Sequence, residues 1–198
     1  MERDIRFPMT DEEARSLRVG DVLHVSGRLF TARDSAHRLL AECLARGERP
    51  PFEPVPDVVY HCGPLAVRDG ARWRVLSAGP TSSTRLDPYA PALISPLGLH
   101  LLIGKGGMGE RTEAALRECG AAYAHSTGGA GALAARAITE VEGVFWLEEL
   151  GMPEAVWLLR VRRFGPLLVA IDSAGGNLYR EVAQQVETQR RAITERIG

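Results

Sequence analysis

The chain has 198 residues, a formal net charge of −1, 45% apolar and 25% charged residues, which is the profile of an ordinary globular protein. That length suits one domain, residues 1–198, with a real core, and the near-zero charge leaves no electrostatic footprint for nucleic acid or an anionic membrane. No apolar run approaches the roughly 18 residues of a membrane span. The first residues, M-E-R-D-I-R-F-P, carry charges but no apolar signal-peptide core. Cys43, Cys62 and Cys119 are odd in number, widely spaced and without a C-x-x-C pair. They point to a reducing cytoplasm and to no metal or iron–sulfur site held by this chain alone.

Residues 1–20 read as an entry segment in which Thr10-Asp11-Glu12-Glu13 caps a short helix ending near Gly20. Asp21 to Ser26 alternates apolar and polar residues as a strand does, and Gly27 to Ala32 continues it or turns. Asp34 is the expected N-cap of a helix over Ser35 to Arg46, whose apolar stripe is Ala36, Leu39, Leu40, Cys43 and Leu44. Gly47 stops it, and Pro50, Pro51, Pro54 and Pro56 keep the next stretch extended. Val58 to His61 reads as a short strand, and Arg68-Asp69-Gly70-Ala71 as a hairpin turn into Trp73 to Leu76. Further on come a helix over Glu113 to Cys119 with Gly120 as its stop, and a strand over Ala121 to Ala124. A small-residue helix is expected over Ala130 to Glu140, then strands over Gly143 to Leu147, Glu154 to Val161 and Leu167 to Ile171. Asn177 caps a last helix, residues 177–197, with Leu178, Val182, Val186, Ile193 and Ile197 at helical spacing and the helix on the outside. The pattern is α/β, early hairpins followed by strand–helix alternation.

Two loops stand out. The strand-like run Arg74 to Ser77 empties into Ala78-Gly79-Pro80-Thr81-Ser82-Ser83-Thr84-Arg85, and Leu99 to Ile103 empties into Gly104-Lys105-Gly106-Gly107-Met108-Gly109. Unpaired backbone N–H groups at such loops favour an anion, and each loop delivers its own cation, Arg85 or Lys105. Two adjacent anion sites suit a small substrate with two carboxylates. The other reading is two ordinary turns with solvated cations.

Gly104 to Gly109 also satisfies G-x-G-x-x-G between a strand and a helix, so a nicotinamide-dependent dehydrogenase is a rival. The acid needed about 20 residues later to hold a ribose is missing, because the next strand runs into His125-Ser126 and no acid follows until Glu140. A Walker A loop is excluded, since Lys105 is not followed by Ser or Thr.

Seven motifs occur in order: G-D-V-L-H-V-S-G (20–27), A-R-D-S-A-H (32–37), Y-H-C-G-P (60–64), A-G-P-T-S-S-T-R (78–85), G-K-G-G-M-G (104–109), E-L-G-M-P-E-A-V-W (149–157) and F-G-P-L-L-V-A-I-D (164–172). Together, over residues 17–180, they resemble the β subunit, or C-terminal domain, of class I fumarate hydratases and L-tartrate dehydratases. The resemblance implies a swivelling β/β/α domain, a mixed sheet with flanking helices. It implies a partner α subunit carrying a three-cysteine [4Fe–4S] cluster whose open iron acts as a Lewis acid. It also implies an assembly of α2β2 type, or a homodimer when isolated. Arg33, Arg85 and Lys105 match the carboxylate-binding cations. Thr81 matches the residue proposed to move the C3 proton, with Ser82 beside it in the substrate loop. His37 has also been viewed as catalytic in that family. The departures are Ser82, where a second Thr is usual, and Leu86, where Met is common.

The chemistry asks for these residue types. Proton removal beside a carboxylate piles negative charge on its oxygens, and fixed Arg and Lys donors in a dry pocket stabilise it. Thr81 is a poor base unless its proton is relayed, and His37 is the better base near neutrality. The other reading of His37 is a helix-start histidine bonded to Asp34 or to backbone. The activity expected first is fumarate hydration, then tartrate dehydration. A dehydrogenase and a non-catalytic binding module remain the alternatives of other classes.

Overall fold

A computed structural model describes residues 1–197 of the chain, and the side chains of residues 1–195. The entry segment holds a strand, β1 (Glu2–Arg6), before the expected helix α1 (Asp11–Ser16). Only Ile5 of β1 is buried, so the strand had no hydrophobic alternation to announce it; parallel pairing with β2 (Val22–Thr31) defines it. The α1 cap is the expected capping box, in which Thr10 Oγ1 accepts from Glu13 N and the Glu13 carboxylate accepts from Thr10 N. The helix ends at Ser16, short of Gly20.

Helix α2 (Asp34–Ala45) begins one residue earlier than its sequence suggests: Arg33 is the N-cap, and the Asp34 carboxylate goes elsewhere. After β3 (Val58–Tyr60), the hairpin β4 (Leu65–Asp69) and β5 (Arg72–Ser77) turns where Asp69-Gly70 predicts. The first cationic loop contains a 3-10 turn (Ser83–Leu86), followed by α3 (Ala90–Ile94) and β6 (Leu101–Gly104). The second cationic loop leads to α4 (Glu110–Cys119), stopped by Gly120 in the left-handed conformation (φ 75°), and then to β7 (Ala122–His125).

The expected helix over Ala130 to Glu140 is only α5 (Gly131–Arg136), because Ile138 already opens β8 (Ile138–Phe145). Strand pairing outcompetes helix propensity there. Past α6 (Leu147–Leu150), the two expected strands are one, the 16-residue β9 (Val156–Ile171). Its two halves serve different neighbours. The first pairs with β8 and the later part of β2, the second with the start of β2 and with β7. The last helix is α7 (Leu178–Ile197), capped as expected by Asn177, whose Oδ1 accepts from Tyr179 N and Arg180 N. It lies on the outside, with Val182, Val186 and Ile193 exposed; the Ile197 side chain falls outside the described residues.

Strands β1, β2, β3, β6 and β7 run parallel in spatial order β1-β2-β3-β6-β7, and β9 pairs antiparallel with both β7 and β2. Those pairings close a ring, β2-β3-β6-β7-β9, with β1 and β8 as flanges. Alternate residues therefore face two cores. Leu23, Val25, Tyr60, Ile103, Ala124, Trp157 and Leu159 fill the inside. Phe30, Val59, Leu102, Tyr123 and Leu158 face outward onto α2, α3 and α4. The architecture is α/β, a mixed sheet with flanking helices, as expected.

Candidate active site

The carboxyl ends of four neighbouring parallel strands open at one rim of the ring, where open α/β sheets characteristically bind ligands. Arg33 follows β2, His61 follows β3, Lys105 follows β6 and Ser126 follows β7. Backbone bonds stitch the two cationic loops onto this rim. Thr81 N donates to His61 O (2.7 Å), Ser83 N to Lys105 O (2.9 Å) and Ser126 N to Gly104 O (2.7 Å). Ser82 bridges Lys105 in parallel pairing. Thr81, Ser82 and Lys105, 24 positions apart at the extremes, thus share one ledge.

The three cations expected to hold carboxylates differ in their present partners. Arg85, on the 3-10 turn, grips Asp34 through Nε (3.0 Å) and Nη2 (2.6 Å), leaving Nη1 without a partner among the described residues. Asp34 neighbours Arg33, so this bond draws the first loop towards the end of β2. Arg33 faces Glu154 at 3.3 Å, and its Nε is buried without a hydrogen bond among the described residues. Glu154 also accepts from Ser35 N (2.8 Å), tying α2 to the start of β9. A side chain at Gly63 would run into Pro153 O and Arg33 Cδ, so glycine lets the Arg33 stem pass. Lys105 has no ion pair among the described residues; its aliphatic stem passes Gly128 of the Thr127-Gly128-Gly129 loop. Asp34, Glu154 and Gly128 were not singled out as site residues from sequence. The one local signal was the position of Asp34 directly after Arg33.

His37 lies under the rim, 1% exposed, with its N and Nδ1 both within 3.0 Å of Arg33 O. The carbonyl can only accept, so Nδ1 carries the proton. Burial lowers its pKa to about 4, against smaller upward effects of the Arg33 carbonyl and Asp34. Its ring edge meets the fully buried His61, centroids 5.1 Å apart, and burial holds His61 well below its ordinary value too. Thr81 is half-buried, and its hydroxyl has no hydrogen-bond partner among the described residues. No base stands against it within this chain's described side chains.

The helix start after the second loop already meets an anion within the chain. Asp87 Oδ1 accepts from Gly109 N (2.8 Å) and from Thr112 Oγ1, so the start of α4 already holds a carboxylate. A helix start that favours an anion is what the sequence suggests, and here the anion is the chain's own carboxylate; beside it the loop offers Lys105. A pyrophosphate at this helix start would meet the Asp87 carboxylate, a like charge.

The cysteines sit in separate surroundings. Cys43 donates to Arg49 O, Cys62 lies in the inner core with its thiol pushed up by burial, and Cys119 packs on the outer core. Among the described residues no group of three His, Cys, Asp or Glu side chains could hold a metal ion. These residues do not fit an iron–sulfur cluster.

Residues 2–182 match the family described as the fumarase C-terminus. The chain belongs to that family. It is similar to the putative L(+)-tartrate dehydratase subunit beta of Methanocaldococcus jannaschii, 38% identical over 90% of this chain and 91% of the relative. It is also 38% identical to the L(+)-tartrate dehydratase subunit beta of Escherichia coli K12, over 100% of this chain and 96% of that one. A putative fumarate hydratase class I of Geobacillus stearothermophilus is 40% identical over 90% of this chain, but there the match covers 34% of a much longer protein. This kind of domain therefore occurs both as a separate subunit and as one third of a larger chain.

Proposed function

We propose that the chain is the β subunit of a hydro-lyase acting on a small dicarboxylate, working with an α subunit that carries the [4Fe–4S] cluster. The observation that carries this reading is the gathering of Arg33, Arg85 and Lys105 on the same rim as Thr81 and Ser82. Arg33 and Arg85 supply planar donors for carboxylate oxygens, and Lys105 a point charge. When the proton on the carbon beside a carboxylate leaves, the added charge settles on oxygens these groups already face. Fixed donors stabilise it with little reorganisation. In this reading Thr81 Oγ1 takes that proton while a base from outside the described residues takes the hydroxyl's own. His37 is the second candidate for that role, acting from beneath the rim. The cluster supplies Lewis-acid chemistry at the hydroxyl, and its ligands belong to the partner.

Fumarate and malate are the first substrate pair in this reading. L-tartrate is the second, favoured by the names of the relatives that match over most of their length. The test is anaerobic co-expression with the product of the neighbouring reading frame, followed by assays with fumarate, malate and L-tartrate. Turnover of fumarate supports the first pair, and oxaloacetate from tartrate the second. A cluster-loaded complex inert towards all three removes the hydro-lyase reading.

A further inference from the structure

Beneath the ledge that carries Thr81 and Lys105 lies a buried polar chain to which the chemistry above gives no part. His61, Ser83 and Tyr123 are each fully buried. His61 Nδ1 lies 2.9 Å from Ser83 Oγ, Ser83 Oγ lies 3.0 Å from the Tyr123 hydroxyl, and that hydroxyl lies 2.8 Å from Gly106 O. A phenol has one proton, and Gly106 O can only accept, so Tyr123 donates to Gly106. Ser83 then donates to the Tyr123 oxygen, and His61 Nδ1–H donates to Ser83. The donors run one way, from His61 to the Gly106 carbonyl. What is left over is His61 Nε2, buried without a partner among the described residues. In this arrangement it is a bare nitrogen, not an orphaned N–H, and burial keeps the ring neutral.

The ends of this chain are the informative part. Ser83 touches the second loop twice: its N donates to Lys105 O, and its hydroxyl reaches Gly106 O through Tyr123. The loop is thereby held at two successive carbonyls, those of Lys105 and Gly106. His61 fixes the other end, since its carbonyl accepts from Thr81 N and its own N donates to Ile103 O. Space for the contact comes from Gly104, where a side chain would overlap Ser83 Oγ and come within 2.9 Å of His61 Nδ1. Gly106 takes φ 73°, a conformation that glycine permits and that its bonded carbonyl helps hold.

We propose that His61, Ser83 and Tyr123 are positioning residues that hold Lys105 in register with the Thr81–Arg85 loop, so that both loops meet one substrate at once. The consequence for catalysis rests on the hydro-lyase reading; the mechanical coupling of the loops does not. Tyr123→Phe keeps the ring and removes the hydroxyl that joins Ser83 to Gly106. In the isolated chain, hydrogen exchange at the Ser83 amide should quicken by about tenfold in Tyr123→Phe and in Ser83→Ala. Amides of β2 and β9 should hold their rates. An unchanged Ser83 amide, or equal acceleration at every amide, overturns the proposal.

In the assembled complex, Tyr123→Phe should lower kcat/KM about tenfold, mainly through KM, and add less than about twofold on a Lys105→Ala background. The same loss in both backgrounds means that Tyr123 does not act through Lys105, and also overturns the proposal. A wild-type complex without hydro-lyase activity counts against the proposed function alone, and the exchange result then decides.

Discussion

Arg85 meets Asp34 through two nitrogens at once, a planar contact that lysine cannot copy. Arg85→Lys should therefore lower kcat/KM of the assembled enzyme by at least about 100-fold, roughly 2.7 kcal/mol, although the charge is kept. Lys105→Ala should do the same. Neither side chain belongs to a core, so circular dichroism and partner binding should stay near wild type; near-normal kcat/KM in Arg85→Lys would withdraw the first loop from the site. His37 leads to a prediction about pH. Its folded pKa of about 4 lies below the ordinary 6.5, so the unfolded chain takes up the proton first as pH falls. Its contribution to stability is complete above about pH 6.5, declines below it, and is gone below about pH 4. The size is on the order of 3 kcal/mol, at 1.36 kcal/mol per pKa unit, and His61 acts in the same direction. Urea midpoints measured from pH 7.5 to pH 4 should fall steadily, and less steeply in His37→Gln. A flat profile in the wild type contradicts the buried, neutral assignment.

The elements explain why a chain with G-x-G-x-x-G at a strand–helix junction need not bind a dinucleotide. Helix α4 begins at Glu110, one residue past the loop, and Asp87, just past the 3-10 turn, already takes the N–H of its N-cap Gly109 and the Thr112 hydroxyl. Asp87→Ala should cost about 1–2 kcal/mol in urea unfolding, as the loss of a helix cap does. Calorimetry with NAD and NADP should show no binding at millimolar ligand; a micromolar Kd would revive the dehydrogenase alternative. Strand β9 does a different job, because its two halves turn an open parallel sheet into a ring. That closure brings Glu154, just before β9, to the end of β2, where it meets Arg33 and the start of α2.

At the scale of the whole molecule, the ring presents three cations and Thr81 at one rim, while its cysteines are scattered through core helix, inner core and helix end. The isolated chain should therefore neither turn over substrate nor take up a cluster. Anaerobic reconstitution with iron and sulfide analysis checks this, and a stoichiometric cluster on the chain alone refutes it. Local order was legible in the sequence because its causes are local. The Thr10–Glu13 capping box, the Asp69-Gly70 hairpin, the Gly120 stop and the Asn177 cap each depend on a few adjacent residues. The motif resemblance names Arg33, His37, Thr81, Ser82, Arg85 and Lys105 as candidates. Their partners were not legible. Arg85 finds Asp34 across 51 positions, Tyr123 finds Ser83 across 40, and the Ser35 amide finds Glu154 across 119. β1 and the unbroken β9 escaped for the same reason, since pairing with distant strands and not their own periodicity makes them strands. Periodicity and caps act within a turn or two of chain, whereas the long-range partners of the candidate residues are chosen by how the ring closes.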